Sequence, residues 1–384
     1  MKKTSIILLI IVALLISGCS DNAGAILYEI ENEKKIEDGS LSNSLSIASM
    51  EGDGTYLYIA AGEVYRRDYA GAEEWEKTTH PGPRSTYAGK IAVFSGTLIV
   101  INTTEDSDSR MFASETNGDS WSVDTGVTLT GKTNTSETPK NLISTEGRVF
   151  ILTEIQDSAE KETGFESVPQ HRLYEVTAAG VDDIALTDIT DSLTAPEAYN
   201  RINPIVDIAI DGSNELWAIT AAGLFTTAAS AGTDLPSGSS NQFKTGIHYS
   251  QIDGNLYIAS HNDSYGYVYR LNTGVWEKVN DSGLKFPTDF ADITVYDETD
   301  PKNAMTLGCS SGYYEMVETS SGSGVLGSIA SPEETADDNY DKTDFSAATV
   351  YCVKSFLTGA EYETFGLTAI EGLWFNDHLS WELE

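Results

Sequence analysis

One pattern recurs along nearly the whole chain: an apolar run, a glycine, then an aromatic residue one or two places on. It reads YLYIAAGEVYRRD at 56–68, ELWAITAAGLFTT at 215–227, AMTLGCSSGYYEM at 304–316 and FGLTAIEGLWFND at 365–377. An amphipathic helix needs apolar residues every third or fourth position, and that spacing is nearly absent. Alternation and short apolar runs bounded by turn residues predict strands instead. Gly62, Gly223, Gly312 and Gly372 fall where one strand turns back into the next. A tight hairpin needs positive φ at its turn, which glycine supplies without steric cost.

A second hairpin follows the first, as VYRRDYAGAEEWEK, MFASETNGDSWSV, VYRLNTGVWEKV and LWFNDHLSWEL, with Trp75, Trp121, Trp276 and Trp381 on its outer strand. Short turns such as FSGT, TEGR, DGSNE and IDGN precede the first hairpin. The unit is therefore four strands, a to d from inside outwards, repeated about seven times every 40–65 residues or so. Its limits are roughly 45–82, 88–126, 139–193, 202–238, 243–283, 290–331 and 345–384. This spacing predicts an all-β fold, a β-propeller of four-stranded antiparallel blades. Seven blades are expected, with six or eight as neighbouring counts. A pair of β-sandwiches is the alternative, and regular repetition without a linker argues against it. The last unit carries its own outer strand, LSWELE. The segment AILYEIENEKKIED at 25–38 then has no place in seven full blades.

SETNGDSW at 114–121 resembles the Asp-box of bacterial sialidases and related propellers, Ser-x-Asp-x-Gly-x-Thr-Trp. Ser114, Gly118 and Trp121 fit, Ser120 replaces the Thr, and Thr116 stands where the Asp belongs. In that family the motif shapes the turn between strands c and d, so the resemblance implies architecture and not catalysis. VYRLNTGVWEKV also resembles quinoprotein-type repeats, such as those in the propeller lipoprotein of the outer-membrane barrel assembly machinery.

The chain opens MKKTSIILLIIVALLISGCS. Lys2 and Lys3 precede the apolar run Ile6–Ile16, which is too short as a helix to cross a hydrocarbon core of roughly 30 Å. Residues 1–18 therefore read as a signal peptide. Ile16-Ser17-Gly18-Cys19 resembles a bacterial lipobox, which implies cleavage before Cys19, diacylglycerol on its sulfur and usually acylation of the new amino terminus. Residues 19–25 form a lipidated tether and 26–384 a single domain. Ser20 after the Cys resembles an outer-membrane lipoprotein. The location expected is the cell envelope, with the periplasmic and surface faces both open.

The formal net charge of −36 falls to −38 once Lys2 and Lys3 leave with the signal. Such a surface repels nucleic acid and anionic headgroups. It keeps an exported protein soluble and favours cations or basic partners. Beyond Cys19, only Cys309 and Cys352 remain, both in apolar strand-like runs. There a disulfide is allowed, and a buried thiol is the commoner outcome.

In a propeller the a–b and c–d turns share one face, and the b–c and d–a loops share the other. The long excursions all belong to the second face: TTEDSDS (103–109), QDSAEKETGFESVPQH (156–171), HNDSYG (261–266), TDSLTAPEAYNRIN (190–203) and SPEETADDNYDKTD (331–344). Long loops on a rigid scaffold often carry function. Carboxylates beside aromatic rings suit sugars, a cation or a basic peptide, and the candidate binding residues are Asp106, Asp108, Phe165, Tyr199, Arg201, Tyr265 and Tyr340. Asp337, Asn339 and Asp341 offer oxygens at alternate positions as calcium loops do, but Lys342 replaces the turn glycine and no Glu closes the loop. No other cofactor is expected, and the five histidines have no close ligand spacing.

A sialidase would need three arginines for the substrate carboxylate, a Tyr–Glu pair and an acidic general acid. The mature chain has eight arginines, of which Arg84 and Arg201 are expected to reach the loop face and no third is evident. No catalytic residue is assigned. The expectation is a monomeric, membrane-anchored, non-catalytic propeller that binds an unknown protein or glycan through its acidic b–c/d–a loops. A periplasmic scaffold for envelope assembly and a carbohydrate-active enzyme are the alternatives.

Overall fold

The computed structural model describes residues 47–384 except 69–74, 105–108, 124–125, 133–135, 158, 160, 162–165, 195–198, 228–241, 281–283, 298–299, 331–348, 359–360, 369–371, 377–380 and 384. Their regular elements are strands, with a 3-10 turn at Thr190–Ser192. The strands make seven sheets, each with its neighbouring strands in chain order except where noted below. Their inner a strands are Ser49–Gly52, Thr86–Phe94, Glu137–Thr145, Ile205–Ile210, Phe243–Tyr249, Pro287–Asp297 and Val350–Thr358, and they define sheets 1 to 7. Each a strand packs against the a strand of the next sheet, and that of sheet 7 packs against that of sheet 1. The sheets thus close into a ring, the β-propeller that the repeat predicts.

The core is divided among the seams between sheets. Leu57 and Ile59 face sheet 7, where Phe365, Leu367 and Leu373 meet them. Tyr58 and Ala60 on the same strand face sheet 2, against Ile91, Leu98 and Val100. Each b strand is therefore buried on both sides, which is why it reads as a continuous apolar run. The other five seams hold clusters of the same kind. The outer tryptophans join them: Trp75 packs in the seam of sheets 7 and 1, and Trp276 meets Trp217 edge-on at 6.2 Å in the seam of sheets 4 and 5.

The b–c hairpins pair as expected. Gly62, Gly312 and Gly372 have φ of 77°, 76° and 84°. Gly223 does not share this geometry. There the turn is closed by Thr220, whose N–H reaches Gly223 O at 2.9 Å and whose Oγ1 accepts Gly223 N–H at 2.8 Å.

In the turn at 114–121, Asn117 and Gly118 take φ of 55° and 88°. Ser114 Oγ accepts the N–H groups of Thr116 (3.2 Å) and Gly118 (2.9 Å). Thr116 Oγ1 accepts Ser120 N–H at 2.9 Å, so a hydroxyl closes the turn where the Asp-box has a carboxylate. The turn docks onto sheet 1: Trp121 Nε1 donates to Thr79 O (2.7 Å), Thr79 N–H donates to Gly118 O (3.1 Å), and Arg66 holds Asn117 O (2.8 Å) and Asp119 (2.9 Å). It is a structural device, as its family role implies.

The a–b turns carry a second device that the sequence reading passed over as glycine turns. Asp53, Asp211 and Asp253 each accept backbone N–H groups of their own turn through Oδ1. Through Oδ2 they hold the polar atom of a buried aromatic: Tyr58 at 2.8 Å, Trp217 at 2.9 Å and Tyr257 at 2.6 Å.

The four-stranded blade is the recurring unit, with the number of strands varying from sheet to sheet. Among the described residues, sheets 1, 5 and 7 have four strands, and sheets 2, 4 and 6 have three. Sheet 3 has five, because Thr128–Thr130, which follows the turn of sheet 2, runs parallel to Asp183–Asp188 on its outer edge. Sheet 7 does supply its own outer strand, Trp381–Leu383. Residues 25–38 lie outside the described residues.

Candidate functional site

The b–c/d–a face gathers aromatic rings. Phe243 begins the a strand of sheet 5 and pairs across it with His261, at the end of strand b. Their rings lie 5.7 Å apart, and Phe286, just before the a strand of sheet 6, stacks on the other partner of this group, His261, at 4.6 Å and 19°. Four residues beyond His261 stands Tyr265, on the b–c turn that Asn262 Oδ1 fixes by accepting the N–H groups of Ser264 and Tyr265, both at 2.8 Å. Tyr265 is 55% exposed, Phe243 52%, and Tyr87 at the entry of sheet 2 also 52%. These are the exposed large aromatics among the described residues, and all three belong to this face.

The second feature is the channel enclosed by the a strands. In six sheets the register between strands a and b slips by one, at Gly89, Lys140, Val206, Thr245, Thr288 and Tyr351. A bulge re-aims the strand at that level. The next residues are Lys90, Asn141, Asp207, Gly246, Asp289 and Cys352, with Ser49 in sheet 1. Three of them latch the neighbouring sheet. Ser49 Oγ accepts Ile91 N–H (3.2 Å), Asp207 Oδ2 accepts Ile247 N–H (2.9 Å), and Asp289 Oδ2 accepts Val353 N–H (3.1 Å). The other oxygen of each aspartate takes the N–H of its own successor, Ile208 at 2.8 Å and Phe290 at 2.9 Å.

Two cavities of about 250 and 320 Å³ follow this axis and share Glu51, Ser144, Asp207, Asp289 and Lys354. Burial, then the nearby Asp289 carboxylate, pushes the Asp207 pKa up to about 7. Burial likewise raises Glu51, with Lys354 opposing. For Lys354, burial works against the charge, yet Glu51, Cys352, Asp289 and Asp207 together hold its pKa above the ordinary lysine value. His248 behaves similarly: burial opposes its charge and Asp292, 3.2 Å away, outweighs it.

The candidate residues from sequence are not brought together. Tyr265 is exposed on the expected face. Tyr199 is buried at 6%, packs on Phe225 at 5.3 Å and donates its hydroxyl to Asn203 O, so it is a core residue and offers no ring to a ligand. Arg201, at φ 59° in the joint between sheets 3 and 4, is paired with Asp191 and accepts His171 N–H on its carbonyl, which makes it a fastening of that joint. Cys19, Asp106, Asp108, Phe165, Tyr340 and the calcium candidates Asp337, Asn339 and Asp341 lie outside the described residues. Among the described residues no group of His, Cys, Asp or Glu converges as a metal site. Cys309 and Cys352 are both free thiols.

The sequence reading missed the Phe243–His261–Phe286 stack and the channel. A signal for the channel was present: Lys90-Ile91-Ala92, Asp207-Ile208-Ala209 and Asp289-Phe290-Ala291 put a polar residue at one fixed place in apolar a strands. The stack had no such signal, because its rings come from two sheets.

No protein-family model matches the sequence, and no curated protein matches it. Solved structures do. An ancestral GH74 enzyme superposes with a TM-score of 0.55 at 14% identity, over 89% of this chain and 47% of the enzyme. YCF48 from Cyanidioschyzon merolae gives 0.53 at 13% identity, over 87% of this chain and 96% of its own. The extracellular domain of a B. thetaiotaomicron protein assigned as a one-component system gives 0.50 at 12%, over 88% and 40%. This chain spans about half the length of the GH74 enzyme, and at such identities what the likeness carries is the fold: the chain is a β-propeller.

Proposed function

We propose that this chain is an exported, lipid-anchored propeller that binds a protein or glycan of the cell envelope through its b–c/d–a face, without hydrolysing it. The observation that carries the reading is that the exposed large aromatics among the described residues, Tyr87, Phe243 and Tyr265, all lie on the b–c/d–a face. Large exposed rings supply contact area at low entropic cost and are typical anchors of recognition surfaces. Against an enzyme of the sialidase type stand the arginines. Arg66, Arg148, Arg172, Arg201 and Arg270 are each paired with a carboxylate of the chain itself, and Arg67 lies over the rings of Trp75 and Phe365, which leaves Arg84 and Arg110, one short of a substrate triad.

The test is a pull-down from cross-linked envelopes with the parent and with a Phe243→Ser, Tyr265→Ser double variant. Loss of the captured partner with an unchanged melting temperature supports the reading. Equal capture by both proteins overturns it. The anchor is tested separately: Cys19→Ala should no longer partition into detergent, and a variant that partitions as the parent does refutes lipidation at Cys19.

A further inference from the structure

The half of the channel that opens on the b–c/d–a face holds polar atoms without protein partners. Lys90 and Lys354 line its cavity of about 250 Å³, and neither makes a hydrogen bond or ion pair among the described residues. Asn141 and Tyr351 line the same cavity, and behind its wall Asn141 Oδ1 and the Tyr351 hydroxyl are buried and unpartnered. Buried polar groups are normally satisfied, and exceptions of this kind mark places where a ligand or ordered water completes the bonding. Asp207 and Asp289 stand in the same cavity, each held in place by two backbone N–H groups, which leaves further lone pairs on their oxygens.

The charge pattern selects the ligand class. A simple anion would have to approach a protein of net charge −36 and then sit beside Glu51 and two aspartates. A simple cation would compete with the ammonium group of Lys354, already among the carboxylates. A small molecule with both charges and no net charge meets neither obstacle. We propose that the channel binds a free α-amino acid, its carboxylate taken by Lys90 and Lys354, and its ammonium by Asp207 and Asp289. This site is separate from the aromatic cluster, and the inference does not depend on the proposed partner of that face.

Equilibrium dialysis of the detergent-solubilised protein against an equimolar mixture of the twenty amino acids, read by mass spectrometry, tests it. The expected result is retention of at least one amino acid at one molecule per chain. Lys354→Met should weaken that retention at least tenfold, and neither acetate nor methylammonium at equal concentration should displace the amino acid. The Phe243→Ser, Tyr265→Ser variant should retain it as the parent does, which separates this site from the loop face. If circular dichroism finds Lys354→Met unfolded, Lys90→Met takes its place. Retention of none of the twenty, retention unchanged in the folded lysine variant, or displacement by acetate alone overturns the proposal.

Discussion

Replacing Asp207 with Asn tests whether the channel aspartates are latches between sheets. Asp207 gives one oxygen to Ile208 N–H and the other to Ile247 N–H of the next sheet, at 2.8 and 2.9 Å. A carboxyl keeps a lone pair on each oxygen even when protonated, whereas an amide has one oxygen, so one N–H must face an NH₂ donor. A buried donor left unmet costs about 1–3 kcal/mol. A second effect has the opposite sign. The Asp207 pKa is raised from 3.8 to about 7 in the fold, so the folded state holds this proton more tightly than the unfolded chain does. Its contribution to stability is full below about pH 4 and is lost as pH rises through 7. Each pKa unit is worth about 1.4 kcal/mol, and the side chain lines an open cavity where solvent would screen the shift, which leaves a loss of roughly 1–3 kcal/mol by pH 8. The Asn variant carries no such loss. It should therefore be less stable than the parent by about 1–3 kcal/mol at pH 5, and the gap should narrow or reverse at pH 8. Urea titration of both proteins at both pH values measures this, and comparing their difference removes the self-repulsion that every carboxylate contributes. A variant as stable as the parent at pH 5, or a gap that does not change with pH, would refute the latch.

Gly118→Ala should cost at least 1 kcal/mol or so, since φ there is 88° and the new Cβ would lie 2.7 Å from Thr78 Cγ2; thermal melting checks it, and an unchanged midpoint would contradict the docking of that turn on sheet 1. Asp211→Ala removes the acceptor of two turn N–H groups and of Trp217 Nε1, in a tryptophan 1% exposed, and should destabilise by about 2–3 kcal/mol in the same assay. Burial raises the pKa of both Cys309 and Cys352 above the ordinary thiol value. Both should therefore resist iodoacetamide at pH 7.5 and react together in urea, and rapid labelling of Cys309 in the native protein would show that the seam around it opens.

The propeller was legible in the chain because its evidence is local and repeated. Alternating apolar runs, glycine turns and outer tryptophans each act within a few residues, so their spacing survives in one dimension. The Asp-box remnant was readable for the same reason: Ser114, Thr116 and Ser120 bond one another inside a single turn. The a–b aspartates are local in the same sense, since Asp211 reaches only as far as Trp217.

Burial, partners and site geometry were decided by closure of the ring. Tyr199 and Arg201 sit in a loop rich in polar residues, and nothing within that stretch reveals that Phe225 and Asp191 take up their side chains. The aromatic stack needs sheets 5 and 6 side by side, and the channel needs all seven a strands in register around one axis. A bulge at one level of six strands turns Lys90, Asp207 and Asp289, spread over two hundred residues of chain, into neighbours in one cavity. The sequence by itself determined which strands could form and where they turn, because those are matters of local sterics and solvation. Which polar residues face each other without water between them was decided only by the tertiary structure, because charge and hydrogen bonding act through space between segments far apart in the chain.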